Sequence, residues 1–544
     1  MDEIAPTNAK TADGLNNDDL ELHAQGYDRE MPRRFSLVSL ISLSYALFST
    51  WNGYGSSFGI GFTEASSAGS LYSLIIAAAM TALTNAGMAE LASAYPVAGA
   101  QYYWSFVVSR PDWAPFASYM AAGVSTLGWW LGLASVTNFV AAMILGIAQL
   151  SYPEYTITRW HTWLVFVAIT WLAVGFNVFC TKWLPLWNKF MRKQSSRHHT
   201  QSVPLLTHPS VYFSIITMTA TTVTLFACAA PNFQTAKFVF TDTTNSTGWS
   251  NDGFAFLLAI LNALYGFLGG DAGAHLCEEV PNPKVNVPKV MMYPILMGVI
   301  SALPFAIALS FVITDFEAVL TTPTGLPLIE VYYQATGSKV ATSILMTAFA
   351  VCFFGCATAN ITTSSRQMWS ACRDDCFPFS KYWKQIHPRW QMPVNACCLS
   401  GTLVTLYGLI FLGSSAAFAS MVGACIVFMT TSYAIPQGIL AWRGRDKILP
   451  PRAVNLGRWG LVLNILSCVW VACINVVYCI PTTYPVTLEN MNWISVVTVG
   501  IIAFLLINWV TNQKYVFKGP NINFEVLNAN AHDFVEKQTE TTSS

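Results

Sequence analysis

Residues 265–273 read YGFLGGDAG, and residues 49–56 read STWNGYGS. Each glycine-rich stretch interrupts an apolar segment that is long enough to cross a membrane. In hydrocarbon, a main-chain N–H or C=O group without a partner costs several kcal/mol, so such an interruption is tolerated only where it lines a buried cavity. Two interruptions in corresponding segments predict a binding site near the middle of the bilayer, as in secondary transporters.

The composition is typical of a polytopic membrane protein. Of the 544 residues, 53% are hydrophobic and only 10% are charged, and the mean hydropathy is +0.45. A soluble domain carries about 25% charged residues. The 28 basic and 28 acidic residues balance, so nothing indicates nucleic-acid binding. The polar N-terminus has no short apolar core beside a cleavage site, and we expect no cleaved signal peptide.

Most of the thirteen cysteines lie within apolar segments and do not have metal-ligand spacing. We interpret them as small hydrophobic residues and predict neither a metal site nor a cofactor. The chain lacks a Gly-x-x-x-x-Gly-Lys-Ser/Thr run, which argues against ATP-driven pumping within it. It also lacks a Ser-His-Asp set or paired catalytic residues in its apolar segments. We therefore predict that the protein is not an enzyme.

Apolar segments and basic residues together predict twelve membrane helices with both termini in the cytoplasm. Residues 114–153 are taken as one helix and residues 390–442 as two. Of the 28 lysines and arginines, only three then lie outside, namely Arg159, Lys237 and Lys339. This asymmetry follows the positive-inside rule, and splitting 114–153 would destroy it. We expect the aromatic segment 91–113 to lie along the inner membrane interface.

The predicted organisation follows from these boundaries. The segments are a cytoplasmic tail (1–34), helices 1–5 (35–229) with a basic insertion at 190–210, an extracellular loop (230–252), helices 6–10 (253–438), a cytoplasmic loop (439–458), helices 11 and 12 (459–513) and a second cytoplasmic tail (514–544). The sequon at Asn245 falls in the outer loop, which predicts glycosylation there. A second sequon, at Asn360, lies within helix 8 and should stay unmodified.

The ends of an interrupted helix carry partial charges, because N–H groups are free where it restarts and C=O groups are free where it stops. An amino acid zwitterion could use both. Gly53, Gly55 and Ser56 suit capture of a carboxylate, since glycine lets the backbone approach closely. The carbonyl groups of 265–269 suit an amine. One glycine cluster alone would favour helix packing or a kink, but two clusters five helices apart favour a site.

The candidate substrate-binding residues all lie in or beside the two interruptions. They are Trp51, Asn52, Gly53, Tyr54, Gly55, Ser56, Tyr265, Gly266, Phe267, Gly269 and Asp271. The aromatic members could surround an ammonium group through cation–π contacts, although aromatic residues in membrane helices equally serve packing. Asp271 is an acid inside an apolar span, where a charge is expensive unless it is functional. It could take a proton, pair with a cationic substrate, or cap the helix that restarts at Ala272.

A second set of candidates concerns gating or coupling. It comprises Glu90, Asp271, His275, Glu278 and Glu279. The three glutamates lie at the predicted inner ends of helices 2 and 6. Basic partners such as Arg366 and Arg373 are available in the inner loops, so an ion-pair gate is one interpretation. Plain solvated charges at helix ends are the alternative.

Several motifs, in this order, resemble those of fungal amino acid/choline permeases. They are RRFS at 33–36, WNGYG at 51–55, AELASAYP at 89–96, GAQYYW at 99–104, GFLGGDA at 266–272, EEVPNP at 278–283 and SRQMW at 365–369. The resemblance implies the amino acid–polyamine–organocation superfamily. It implies an all-α fold with two inverted five-helix repeats, discontinuous helices 1 and 6, and two additional helices. It also implies import of γ-aminobutyrate, choline or another amine or amino acid, generally with protons.

The coupling ion stays open on sequence grounds. Family analogy favours a proton over sodium. Helix 5, at about 211–229, lacks the lysine that some proton-coupled relatives have there. Thr362, Thr363 and Ser364 could ligate sodium, but we expect their hydroxyl groups to bond back to their own helix.

We expect a multi-pass protein in the lipid bilayer of the plasma membrane, with the vacuolar membrane as the alternative. The alternative function is a non-transporting nutrient sensor of the same fold. Such sensors usually carry long cytoplasmic extensions, whereas the predicted tails here are only 1–34 and 514–544.

Overall fold

The computed structural model describes residues 17–180, 209–487 and 490–522. Most of the predicted basic insertion at 190–210 lies outside these residues. The first half of the chain forms α1 (Asn17–Ala24), α2 (Leu37–Phe48), α3 (Thr50–Ser56), α4 (Phe58–Ala94), α5 (Gln101–Val108), α6 (Ala114–Ser151), α7 (Arg159–Cys180), α8 (Pro209–Ala229) and α9 (Ala236–Thr241). Throughout the described ranges the regular structure is helical.

The second half of the chain continues the bundle. It forms α10 (Asp252–Leu264), α11 (Ala272–His275), α12 (Pro283–Val312), α13 (Phe316–Leu320), α14 (Pro327–Thr336), α15 (Lys339–Arg373), α16 (Ser380–Trp383), α17 (Val394–Gly408), α18 (Ile410–Gly413), α19 (Ser415–Arg443), α20 (Trp459–Val477), α21 (Ile494–Asn508) and α22 (Lys514–Val516). Short 3₁₀ turns cover Tyr265–Phe267, Cys277–Glu279 and Arg445–Lys447.

Within the described ranges, eleven helical stretches are long and apolar enough to cross a membrane. The interrupted pair α2 and α3, which continues into the start of α4, supplies a twelfth. α4 bends at Ala65 and Ser66, where non-helical dihedral angles separate the first crossing from the second. α6 runs without a break from Ala114 to Ser151, as predicted. The prediction of an all-α polytopic membrane protein is confirmed.

Five long helices, α4, α6, α12, α15 and α19, form the frame around the two interruptions. α4 packs against α10 and α12, while α6 packs against α15 and α19. α3 contacts the turn Tyr265–Phe267 inside this frame. The frame therefore holds the two interruptions side by side in the interior of the bundle.

α20 and α21 lie at the periphery of the bundle and present apolar side chains outward. Val476, Val499 and Phe504 are 66%, 67% and 65% exposed. Contiguous apolar surface of this kind is unfavourable in water and suits the hydrocarbon of a bilayer. Both helices can therefore meet lipid on their outer faces.

The aromatic residues of the segment 91–113 pack against the protein. Tyr102, Tyr103 and Trp104 of α5 are fully buried against the bundle, and the position of the segment at the membrane interface stays a prediction. Their polar groups find partners in the protein interior; for example, the Tyr102 hydroxyl donates to the carbonyl oxygen of Ser370 at 2.8 Å. Aromatic residues with a polar tip suit either environment, and these have internal partners.

Candidate functional site

The first interruption exists, but it lies at Ser49 and not over the glycines. Ser49 adopts a left-handed conformation (φ 42°, ψ 44°), which ends α2, and α3 begins at the next residue. Gly53 and Gly55 are helical, and the N–H of Gly53 donates to the carbonyl oxygen of Ser49 at 2.8 Å. The expectation that the amides of Gly53 and Gly55 are open for a carboxylate is therefore wrong in this conformation.

These glycines instead allow close packing. A Cβ atom on Gly53 would lie 2.8 Å from the Cα of Gly266, and one on Gly55 would lie 2.9 Å from the ring of Phe349. Both contacts are too short for any larger side chain. The two interrupted segments thus touch each other directly through Gly53 and Gly266.

The second interruption lies where the sequence predicts it. α10 ends at Leu264, a 3₁₀ turn covers Tyr265–Phe267, and Leu268 is extended. Gly269 has φ +89°, and a Cβ atom there would clash with Leu47 of α2, so only glycine fits. The chain becomes helical again at Ala272. Main-chain carbonyl groups at the end of α10 therefore lie beside the end of α2.

A small central cavity of about 30 Å³ lies between the interruptions. Its walls are Leu47, Phe48, Gly53, Trp129, Gly132, Val136, Tyr265, Leu268, Gly269, Phe353, Cys356, Asn360 and Met429. Gly53, Tyr265 and Gly269 were predicted. No sequence pattern indicated the walls from α6, α15 and α19, because these helices are regular. This volume suits one or two waters, so an organic substrate requires the walls to move.

The cavity walls have the chemistry of an amine site. Phe48, Trp129, Tyr265 and Phe353 contribute aromatic rings, and no wall residue carries a formal charge. The Oδ1 atom of Asn360 is buried without a hydrogen-bond partner among the described residues. It can accept a hydrogen bond from an N–H or O–H group of a substrate.

The other predicted binding residues of α3 hold that helix in place and do not line the central cavity. Their hydrogen bonds run from Trp51 Nε1 to Ser214 Oγ (2.9 Å), from Asn52 Nδ2 to the Phe349 carbonyl (3.3 Å), between the hydroxyls of Tyr54 and Ser70 (2.9 Å), and from Ser56 Oγ to the Gly53 carbonyl (2.9 Å). Phe267 is buried, and Gly266 contacts α3. These residues hold α3 in position but do not themselves line the central cavity.

Asp271 is fully buried and collects hydrogen bonds from three other helices and from its own. Its Oδ2 atom accepts from Gln101 Nε2 at 2.6 Å and from Trp129 Nε1 at 3.3 Å, and it lies 2.9 Å from His275 Nε2. Its Oδ1 atom accepts from the Tyr433 hydroxyl at 2.7 Å. The side chain makes no capping bond to α11, so the capping interpretation is wrong.

The hydrogen bonds of His275 require a proton between it and Asp271. His275 Nδ1 lies 2.9 Å from the carbonyl oxygen of Ala98, which can only accept, so Nδ1 carries a hydrogen. On the other side, Nε2 faces Asp271 Oδ2 at 2.9 Å. Without a proton between them, two lone pairs would face each other. One proton is therefore shared between His275 and Asp271. If it were lost, the two side chains would have to move apart or reorient.

The predicted inner end is closed by buried ion pairs. Arg373 grips Glu278 with two hydrogen bonds of 2.9 and 3.0 Å. Arg366 Nε donates to Glu279 Oε1 at 2.9 Å, and both side chains are 1% exposed. Both glutamates are therefore paired with arginines, and the alternative of solvated charges is wrong; a role of these pairs as a gate stays a prediction.

Glu90 is also paired, but with partners that the sequence did not indicate. It is fully buried and contacts Arg445 and Arg452, both from the segment between α19 and α20. Arg452 Nε donates to Glu90 Oε1 at 2.8 Å. These bonds fasten the end of α4 to that segment.

Residues 17–35 pack across the same end. The Tyr27 hydroxyl donates to Asp374 Oδ2 at 2.6 Å, and the guanidinium of Arg373 lies 3.7 Å above the Tyr27 ring. Burial raises the pKa of Asp374 above its usual range, and the charge of Arg373 offsets this only in part. Burial likewise raises the pKa of Glu30. The described part of the N-terminal segment is therefore docked beneath the bundle.

A larger cavity of about 560 Å³ lies at the predicted outer end. Tyr265 lines both cavities, and its hydroxyl shares a hydrogen bond of 2.7 Å with Ser135 Oγ. Phe139 packs against the Tyr265 ring at 5.6 Å between centroids. This contact between α6 and the second interruption separates the two cavities.

Glu64 lines the outer cavity and was missed from the sequence. It is 2% exposed. Its position between the apolar stretches 35–63 and 65–89 looked like the boundary of a helix. The fold places that boundary inside the bundle, because α4 bends immediately after Glu64.

Two further predictions concern hydroxyl and amide groups. The hydroxyl groups of Thr362, Thr363 and Ser364 all lie within hydrogen-bond distance of carbonyl oxygens of their own helix, as expected. Thr362 Oγ1 also lies 2.6 Å from Asn177 Oδ1. Asn245 lies between α9 and α10, and its Nδ2 donates to the Trp249 carbonyl at 2.8 Å. Its glycosylation stays a prediction.

Two interrupted helices that enclose a cavity within a bundle of apolar, membrane-length helices are the arrangement of membrane transporters. The model of the amino acid permease family matches residues 35–191 and 200–504, so the chain belongs to this family of the amino acid–polyamine–organocation superfamily. It is 32% identical to the choline transporter of Saccharomyces cerevisiae, over 95% of this chain and 86% of that protein. It is 27% identical to the amino-acid permease BAT1 of Arabidopsis thaliana (94% and 97%) and 28% identical to amino-acid permease 2 of Neurospora crassa (95% and 90%).

Proposed function

We propose that this permease imports a small amine, with choline as the first candidate and an amino acid such as γ-aminobutyrate as the second, together with a proton. The observation that carries the proposal is the central cavity between the two interruptions. Aromatic rings and the unpartnered Asn360 Oδ1 suit an ammonium group with a hydroxyl or amine donor. We place the protein in the plasma membrane, with the loop that carries Asn245 outside.

The position of the first interruption favours choline over a zwitterion. Capture of a carboxylate in the central cavity needs open amide groups in its wall, and Gly53, the residue of α3 that lines the cavity, uses its N–H within α3. Choline needs none, since its positive charge is satisfied by aromatic faces and carbonyl oxygens. The similarity of this chain to the choline transporter of Saccharomyces cerevisiae also favours choline as the substrate.

The Asp271–His275 pair is our candidate for the proton carrier. It holds one proton in a fully buried position, two residues beyond Gly269 of the central cavity. Loss of that proton would leave a carboxylate facing a lone pair, which favours rearrangement of α11. Protonation and the geometry of the second interruption are thereby linked.

Trp129 connects this pair to the substrate position. Its ring lines the central cavity, while its Nε1 hydrogen donates to Asp271 Oδ2 at 3.3 Å. A substrate that shifts the ring would weaken this hydrogen bond and change the proton affinity of the pair. Such a link is what symport requires, since each ligand must alter the binding of the other.

The test is uptake of labelled choline into proteoliposomes containing the full chain. We expect an acid-outside pH gradient to drive accumulation and a protonophore to abolish it. Asp271→Asn should lose the gradient-driven accumulation while keeping some exchange of choline across the membrane. Accumulation by Asp271→Asn that still follows the pH gradient would remove the pair from the mechanism.

The matched control is Asp252→Asn. Asp252 is an exposed residue at the start of α10 and lies outside both cavities. It should behave as the unmodified chain in all assays. Parallel competition by γ-aminobutyrate ranks the two substrate candidates.

A further inference from the structure

The outer cavity is large, aromatic and almost free of charge. Its walls come from the start of α4, from α6, α10, α18 and α19, and from the segment between α20 and α21. Rings from Phe139, Tyr265, Phe411, Phe418 and Tyr478 line it. Of all the described residues that line this cavity, Glu64 alone is charged.

Glu64 is held at this wall without a partner of its own. Its side chain is 98% buried, and Oε2 has no hydrogen-bond partner in the part of the chain that the structure describes. The bend after Glu64 is anchored by the segment around α9. There the Asp242 carbonyl accepts from the amide of Ala68 at 2.9 Å, and Ser67 Oγ donates to the Val239 carbonyl at 3.1 Å. The position of Glu64 is therefore fixed by the fold.

A buried carboxylate needs a compensating charge. Desolvation without a partner costs several kcal/mol, so the group is stable only with a bound proton or a bound cation. A proton needs no space, whereas this cavity has about 560 Å³ next to the carboxylate. The aromatic walls attract organic cations through their ring faces. A substituted ammonium ion would compensate the charge of the carboxylate, contact the faces of the rings and fit within the cavity volume.

We propose that Glu64 and the surrounding rings form a binding site for an organic cation, distinct from the central cavity and separated from it by Tyr265. This inference rests on the proposed function, because it makes the outer cavity the place where a cationic substrate binds before it reaches the central cavity. The site discriminates by charge. A substituted ammonium ion is attracted by Glu64, while the carboxylate of a zwitterion is repelled.

The test measures binding of labelled tetramethylammonium and of choline to the purified full chain in nanodiscs. Glu64→Gln keeps the shape of the side chain and removes its charge. We expect the Kd for both cations to rise at least tenfold, while Glu64→Asp keeps part of the affinity. Competition by γ-aminobutyrate should change less than twofold in Glu64→Gln.

The matched control is Glu317→Gln, the same substitution at an exposed residue of α13 near the same end of the bundle. It should leave every affinity unchanged. Thermal unfolding of each variant identifies a folding defect, which we do not expect, since Glu64→Gln removes an uncompensated buried charge.

Three results would overturn the proposal: unchanged cation affinity in Glu64→Gln, equal losses for cations and for γ-aminobutyrate, or no cation binding by the unmodified chain. The proposed function fails separately. A chain that binds tetramethylammonium through Glu64 but accumulates no substrate under a pH gradient keeps this site and loses proton-driven import. If gradient-driven import is unchanged when Glu64 is substituted, the proposed function stands and the cation site at Glu64 is ruled out.

Discussion

The two ends of this bundle treat their charges in opposite ways. At the predicted inner end, Glu90, Glu278 and Glu279 are all buried and all paired with arginines. At the predicted outer end, Glu64 is equally buried but unpaired, and a large cavity lies beside it. Ion pairs close one end by linking helices to loops, while the other end keeps an unused charge for a ligand. The same residue type, a buried glutamate, thus closes one end where it has an arginine partner and is available to a ligand at the other end where it has none.

Barriers on the two sides of the central cavity also differ in strength. The inner side is held by several charge-assisted bonds in a buried environment, which are the stronger kind of hydrogen bond. The outer side is held by one hydrogen bond between two neutral hydroxyls, those of Tyr265 and Ser135, and by the packing of Phe139. We therefore expect the outer barrier to open at a lower cost in free energy.

The largest effect is expected from Glu278→Gln. This substitution leaves the buried Arg373 without its counter-charge, and breaking a buried pair in this way costs about 3–5 kcal/mol. The closed inner end should lose that stability, which corresponds to an increase of more than about 100-fold in transient opening. The measurement is the alkylation rate of Cys277, which is 1% exposed, followed by mass spectrometry on the full chain.

Adding Arg373→Met to Glu278→Gln should recover much of the protection of Cys277, because the orphaned charge is then gone. Glu317→Gln should leave the rate unchanged. An unaltered rate in Glu278→Gln would mean that this ion pair does not hold the inner end closed.

A smaller effect is expected from Tyr265→Phe at the outer barrier. The change removes one neutral hydrogen bond, whose net contribution is about 0.5–1.5 kcal/mol. Reaction of Cys356, which lines the central cavity, with a membrane-impermeant thiol reagent added outside should accelerate by about two- to tenfold.

Tyr54→Phe is the matched control, since the Tyr54 hydroxyl makes a comparable hydrogen bond to Ser70 but lines neither cavity. If Tyr54→Phe accelerates the reaction of Cys356 as much as Tyr265→Phe, Tyr265 is not the barrier. If Tyr265→Phe exceeds the effect of Glu278→Gln, the two ends do not differ as described.

The smallest effect concerns pH at the inner end. Because burial raises the pKa of Asp374 in the folded protein, the folded state favours its protonated form. The associated stability is present below the unfolded pKa of about 3.9 and is lost as pH rises through the folded value. Asp374→Asn mimics the protonated group and can still accept hydrogen bonds from Tyr27 and Tyr102. Its Tm should exceed that of the unmodified chain at pH 7.5.

This advantage of Asp374→Asn should shrink as the pH falls toward 4.5, since the unmodified Asp374 then becomes protonated itself. Thermal unfolding of both chains across this pH range measures the difference. A gap that is constant with pH would show that Asp374 does not titrate in this range.

Local sequence patterns predicted the membrane-crossing helices, because the bilayer requires apolar residues along each crossing. The length of the apolar stretches and the positions of lysine and arginine were enough to predict α6 as a single helix and to predict the approximate range of α8. The second interruption was located correctly because Gly269 needs a positive φ angle, which its neighbours in sequence already suggest. The first lies at Ser49, the first residue of the predicted stretch 49–56, whereas Gly53 and Gly55 look like helix breakers but are helical and serve as contact points.

Side-chain partners from distant parts of the chain could not be predicted in this way. Arg445 and Arg452 lie more than 350 positions from Glu90, and no local pattern links them. Trp129, Asn360 and Met429 belong to regular helices that give no sign of facing a cavity. Glu64 looked like the end of a helix because its burial depends on how α4 bends against α9.

Four features could be predicted without a structure: the all-α membrane class, the approximate crossings, the second interruption and the position of Asp271 within it. These features depend on hydrophobicity, charge and backbone freedom, which are properties of single residues and their neighbours. The pairing of the buried acids depends on the folded arrangement: Glu278 has an arginine partner and Glu64 has none among the described residues. That distinction arises because the worth of a buried charge depends on the groups that the fold brings within a few ångströms of it.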